Sequence, residues 1–175
     1  MLISETIRSL RDAGYFIEAR ALAVNKSLSW LGVLQRYERQ RADRGFGRMT
    51  TPEAHQAGYE GLLNTLELIE KEKLADKLTI YKRGAVILYE NELQGTFWKH
   101  PPQARFILES ERNRDWTMDE KLAYAYSFDK LLELIQLPER KASLEEIKRM
   151  QSLREEAYLM LINKKKKFQK ATVKV

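Results

Sequence analysis

The side chains able to do chemistry in this 175-residue chain are few and scattered. There is no cysteine, which removes thiol nucleophiles, disulfides and zinc–thiolate sites. The two histidines, His55 and His100, stand far apart and form no His-Glu-x-x-His spacing, the arrangement that puts two zinc ligands on one helix face. His55 falls near the start of an expected helix and reads as a surface side chain, while His100, just before Pro101-Pro102, reads as a loop residue. Carboxylates that could act as acid–base pairs or hold Mg²⁺ occur as Glu90 with Glu92, Glu109 with Glu111, and Asp115 with Asp119 and Glu120. The first pair precedes Lys99 but lacks the acid–x–lysine spacing of a nuclease core, and Asp119 and Glu120 are explained by a helix start, whose dipole favours acids. Arg44-Gly45-Phe46-Gly47-Arg48 precedes a helix as a phosphate loop would. It has no strand before it and no Gly-Lys-Ser/Thr ending, so it reads as a helix-to-helix turn. No catalytic residue, cofactor or metal site is expected from these residues.

Charge is more informative. The formal net charge is +6, yet residues 164–175 hold six lysines and no acid, leaving 25 bases against 25 acids elsewhere. The basic balance therefore belongs to the tail, where Lys164, Lys165, Lys166, Lys167 and Lys170 could meet nucleic acid or an anionic surface. Within the body, Arg36, Arg39, Arg41, Arg44 and Arg48 cluster in sequence around Tyr37, partly offset by Glu38 and Asp43. Arg36, Arg39, Arg44 and Arg48 are the candidate anion- or nucleic-acid-binding residues. Trp30 and Tyr37 are the candidate anchors for a protein partner.

These residues must be positioned by helices for the most part. Gly14 is expected to end a first short helix and a second to run over about 15–24. Leu28, Leu31, Leu34 and Tyr37 mark a helix over 27–44, stopped by Gly45 and Gly47. Thr50-Thr51-Pro52-Glu53 starts the next, with Thr50 as cap, Glu53 returning the bond and Pro52 in the first turn. Residues 27–73 then make a helical hairpin. The apolar runs Leu78–Tyr81 and Ala85–Tyr89 flank Lys82-Arg83-Gly84 and fit either a small β-hairpin at about 77–90 or one buried helix. Further helices are expected at 102–112, 118–137 and 144–167, the last two opened by capping boxes at Thr117–Glu120 and Ser143–Glu146. The fold class is thus mainly α: a helical bundle with an N-terminal helical hairpin and room for one β-hairpin. The expected division is 1–75 as an N-terminal hairpin module, 76–163 as a C-terminal helical region, and 164–175 as a basic tail.

Residues 7–69 resemble the small helical effector-associated domains of bacterial conflict systems, type eleven. The resemblance is carried by the leading stretch IRSLRDAGYFIEARALA and by Leu34, Tyr37, Gly47, Thr50, Glu53, Leu62, Leu63 and Ile69. It implies docking that joins a sensor protein to an effector. The leading functional expectation is therefore a non-enzymatic interaction module or adaptor in bacterial defence or signalling, with a protein partner and with room for self-association. The alternative is a nucleic-acid-binding accessory protein using the arginine cluster and the lysine tail, and a third reading is a small enzyme built around 77–98. No stretch approaches the 18 or so apolar residues of a spanning helix and no leader pattern opens the chain, so a cytoplasmic location is expected.

Overall fold

Leu78, Thr79 and Ile80 follow one another, and all three are fully buried. Successive strand residues face opposite sides, so such a run must be covered on both faces. It forms the middle of β2 (Lys77–Lys82). This strand pairs in parallel with β1 (Glu18–Leu22) and antiparallel with β3 (Val86–Gln94), and β3 carries the two-residue β4 (Phe97–Trp98). The sheet is mixed and four-stranded, in the order β1-β2-β3-β4. Parallel neighbours cannot be joined by a tight turn. Between β1 and β2 the chain accordingly runs through α2 (Lys26–Arg44) and α3 (Pro52–Glu72). The antiparallel β2–β3 link is short, with Gly84 at φ 82° in the left-handed region that a side chain disfavours.

The computed structural model describes residues 2–162. They divide into two units: the chain up to Ser29 with Thr51–Arg114, and Trp30–Thr50 with the chain from Asp115 onward. The first unit holds the sheet, α1 (Leu2–Asp12), α3 and α4 (Ala104–Asn113). Its core gathers Ala21, Ala23, Leu66, Ile69, Leu74, Leu78, Ile80 and Leu108. A buried carboxylate organises the edge of this core. Glu70 accepts bonds from the Tyr89 hydroxyl at 2.7 Å and from the backbone N–H groups of Gln103 and Ala104 at 3.1 and 3.0 Å, so it caps the start of α4. Burial, helped by that bond to Glu70, pushes the Tyr89 hydroxyl up to about 12.

The second unit is helical. It holds α2 from Trp30, α5 (Met118–Ile135), a 3₁₀ turn at Pro138–Arg140 and α6 (Leu144–Ile162). Leu31, Leu34, Phe128, Leu131, Ile135, Met150 and Ala157 are buried. Both expected capping boxes form here. The Thr117 hydroxyl accepts from Glu120 N at 3.2 Å while Glu120 accepts from Thr117 N at 2.8 Å, and Ser143 with Glu146 repeats the exchange. Thr117→Ala should cost about 1 kcal/mol, the usual worth of a cap, measured as the shift in a urea midpoint.

Several expectations need correction. The helical bundle gives way to an α/β arrangement, because residues expected as a second short helix at 15–24 form β1 instead. Ala19, Ala21 and Ala23 then lie on one side of an extended chain, with Glu18, Arg20 and Leu22 on the other. Residues 77–98, left open between hairpin and helix, are the β2–β3 hairpin with β4 beyond it. The helices at 27–44 and 52–72 exist as α2, which continues into the second unit, and α3, which packs on the sheet of the first. Thr51, not Thr50, caps α3, accepting from Ala54 N at 3.2 Å. No helix among the described residues is long and apolar enough to cross a membrane.

Candidate functional site

In the second unit the arginine cluster sits on α2 and the loop that follows it. Arg36, Arg39, Arg44 and Arg48 are all exposed. No carboxylate lies within ion-pair distance of any of the four among the described residues. Arg36 Nη2 donates to the Thr50 hydroxyl at 3.3 Å, and the Gln40 side chain accepts from Arg48 N at 3.1 Å, which ties the loop back to the helix. Gly47 permits that close return: a Cβ there would stand 2.8 Å from the Tyr37 carbonyl oxygen and 3.0 Å from its ring. Glu38, expected to offset the cluster, does not. It is buried and receives Arg140 Nε at 2.6 Å. Tyr37 lies beneath the guanidinium groups of Arg41 and Arg140, 6.0 and 5.9 Å from its ring centre, and both Tyr37 and Trp30 are half-buried. The arrangement leaves four planar cationic forks in water, the geometry suited to phosphate oxygens.

The first unit contains a cleft of about 400 Å³ where β1 ends, lined by Arg20, Leu22, Ser29, His55, Tyr59 and Arg112 among others. The crevice beyond the carboxyl ends of parallel strands is the usual place for ligands in open α/β sheets. Tyr59 is its pivot: its hydroxyl donates to Val24 O at 2.9 Å, His55 stacks one helical turn before it, and the Arg112 guanidinium lies 3.7 Å from its ring centre. Ser29 Oγ is 2.9 Å from His55 Nε2. Burial, and then Lys26, lowers the His55 imidazole, so the ring is neutral at neutral pH. Sequence reasoning placed His55 on the surface and passed over Ser29, Tyr59 and Arg112. The one available signal was that His55 and Tyr59, four apart, share a helix face.

The other sequence candidates are dispersed. Glu90 pairs with Lys77 at 2.9 Å, Glu111 with Arg114 at 2.9 Å, and Glu120 serves the Thr117 cap. Among the described residues no three His, Asp or Glu side chains converge on a point that could hold a metal ion. Lys164, Lys165, Lys166, Lys167 and Lys170 lie outside the described residues.

The sequence model of the Zeta toxin family matches residues 3–94. The proteins named toxin zeta from Enterococcus hirae and Streptococcus pyogenes are each 33% identical over 88 residues, half of this chain and 31% of theirs. The chain thus spans about a third of the length of the curated relatives it matches. A solved structure from the PezAT chromosomal toxin–antitoxin system of Streptococcus pneumoniae superposes with a TM-score of 0.59 at 20% identity, covering 76% of this chain and 50% of that one. That likeness concerns the fold, and it supports the α/β reading over the bundle. The resemblance of residues 7–69 to an effector-associated domain is overturned, since the same stretch lies inside the matched region.

Proposed function

The chain belongs to the Zeta toxin family, and on that premise we propose that it serves a toxin of a toxin–antitoxin pair with kinase-like chemistry, gripping phosphate groups through Arg36, Arg39, Arg44 and Arg48. The expectations of a non-enzymatic adaptor, and of a nucleic-acid-binding accessory protein as its alternative, give way to the family match. Phosphoryl transfer asks a protein mainly to position its reactants and to stabilise charge on the transferred group. Nothing in this sequence forms a Gly-x-x-x-x-Gly-Lys-Ser/Thr loop, so phosphate contact within the chain falls to side chains. Four exposed arginines with no acidic partner among the described residues are suited to it. The partner we propose is an antitoxin protein, the class named beside the toxin in the PezAT system.

The observation that carries this reading is the match over residues 3–94, which contains the whole arginine segment. Induced expression in bacteria of the open reading frame that encodes these residues should arrest growth. Arg36→Ala with Arg48→Ala should relieve the arrest at equal protein level. Normal growth with the protein accumulating, or an arrest indifferent to the double change, would contradict the proposal.

A further inference from the structure

Arg112 poses a problem that its surroundings do not solve. It is only 5% exposed, so its charge has lost nearly all its water. Buried charges in proteins are paired, because an unpaired one costs several kcal/mol. Yet Arg112 has no carboxylate within ion-pair distance among the described residues. Glu109, one turn back on α4, acts on it only through space. Among the described residues its side chain makes one bond, from Nη1 to the Tyr59 carbonyl at 2.8 Å, and the stacking contact on the Tyr59 ring, and its Nε is buried with no acceptor. Burial accordingly pulls the guanidinium below its ordinary value, against the opposing pull of Tyr59 and Glu109.

We infer that the cleft at the end of β1 binds a small organic anion, whose phosphate or carboxylate group sits against Arg112. The cleft supplies the rest of such a site. Arg20 lines it and adds a second positive charge, although Glu18 engages that guanidinium at 2.6 Å. Ser29 with neutral His55 gives a hydroxyl and an imidazole for a polar edge. Leu22, Val24 and Leu62 make apolar wall for a carbon body, and about 400 Å³ falls within the range of small-molecule sites. A bare inorganic ion would leave most of that wall unused. This site lies in the first unit, separate in the chain from the arginine segment of the second, and the inference does not depend on the proposed function.

The test uses the full chain carrying Arg36→Ala and Arg48→Ala, so that binding at the arginine segment cannot be mistaken for binding in the cleft. Phenyl phosphate, benzoate and inorganic phosphate are titrated while the imidazole Hε1 resonance of His55 is followed by NMR. The chain has two histidines, so a His100→Gln variant identifies the signal. Saturable movement of the His55 resonance with phenyl phosphate or benzoate is expected, and whichever binds tighter fixes the anionic group. Inorganic phosphate should bind at least tenfold more weakly than the better of them. Arg112→Met should weaken binding at least tenfold. Leu22→Glu, at a half-exposed position on the cleft wall, should do the same and serves if Arg112→Met does not fold. No saturable shift with either organic anion overturns the inference. So does unchanged affinity in a folded Arg112→Met or Leu22→Glu variant, or equal affinity for inorganic phosphate.

Discussion

Arg140→Ala is expected to destabilise the helical unit by about 3–5 kcal/mol, enough to unfold a marginal domain, since it strands a buried charge. Arg140 is closed off from solvent and donates to Glu38 at 2.6 and 3.3 Å and to Glu146 at 2.8 Å. Glu38 is itself buried, so losing the arginine leaves a carboxylate with neither water nor partner. Glu146 is partly exposed and can rehydrate. Thermal melts followed by helical circular dichroism should show the loss. The paired change Arg140→Met with Glu38→Gln should recover much of it, because removing both charges removes the penalty. A loss of under 1 kcal/mol in the single variant would mean that the network is incidental. The same network predicts acid sensitivity. Arg140, followed by the Ser143 N–H, holds the Glu146 carboxyl down to about 2 against an ordinary 4.5. A lowered folded value contributes stability above the unfolded value that disappears as pH falls, so stability should decline from about pH 5 towards pH 2. Glu146→Gln should flatten that decline.

Glu70→Ala should be the second large effect, at roughly 3 kcal/mol or more, because each buried donor left unpaired costs about 1–3 kcal/mol. Three donors are involved, the buried Ala104 N–H and the partly buried Tyr89 hydroxyl and Gln103 N–H, of which the hydroxyl keeps only a long contact to the Pro101 carbonyl at 3.5 Å. Loss of the α4 cap should accompany the drop, visible as faster amide exchange at 103–105 than at Leu78 and Ile80. Glu70→Gln keeps one acceptor oxygen and should fall between. The Tyr89 hydroxyl, followed by ultraviolet titration, should move down towards its ordinary value in the alanine variant, though burial alone keeps it partly raised.

What the sequence made legible was local. Capping boxes at Thr117 and Ser143 and the helix end at Gly14 are fixed by neighbours within a few residues, and they form. The strand β1 was not legible as a strand. Ile17, Ala21, Leu22 and Val24 fit a helical stripe, and alanine and leucine are good helix formers. The alternation of Ala19, Ala21 and Ala23 with the exposed Glu18, Arg20 and Leu22 gains its meaning only from pairing with β2, more than fifty residues away. Leu78–Tyr81 was ambiguous for the opposite reason, since burial on both faces erases the period that would identify it.

The sites divide the same way. Arg36, Arg39, Arg44 and Arg48 were visible because they are close in sequence and stay exposed. The Ser29–His55 contact, the Tyr59–Arg112 stack and the Glu38–Arg140 pair join residues 26, 53 and 102 positions apart, and nothing local announces them. A charge pattern says that α4 carries arginines, but not which of them turns inward.

If the exposed arginines between 36 and 48 grip phosphate, titration of the chain with ATP by calorimetry at low salt should show saturable binding that weakens as salt is raised. Affinity should fall about 100-fold in Arg36→Ala/Arg48→Ala, since two charge-assisted bonds at roughly 1.5 kcal/mol each are removed. The melting temperature should not change. Absence of binding at low salt, or equal affinity in the double variant, would contradict that grip on phosphate.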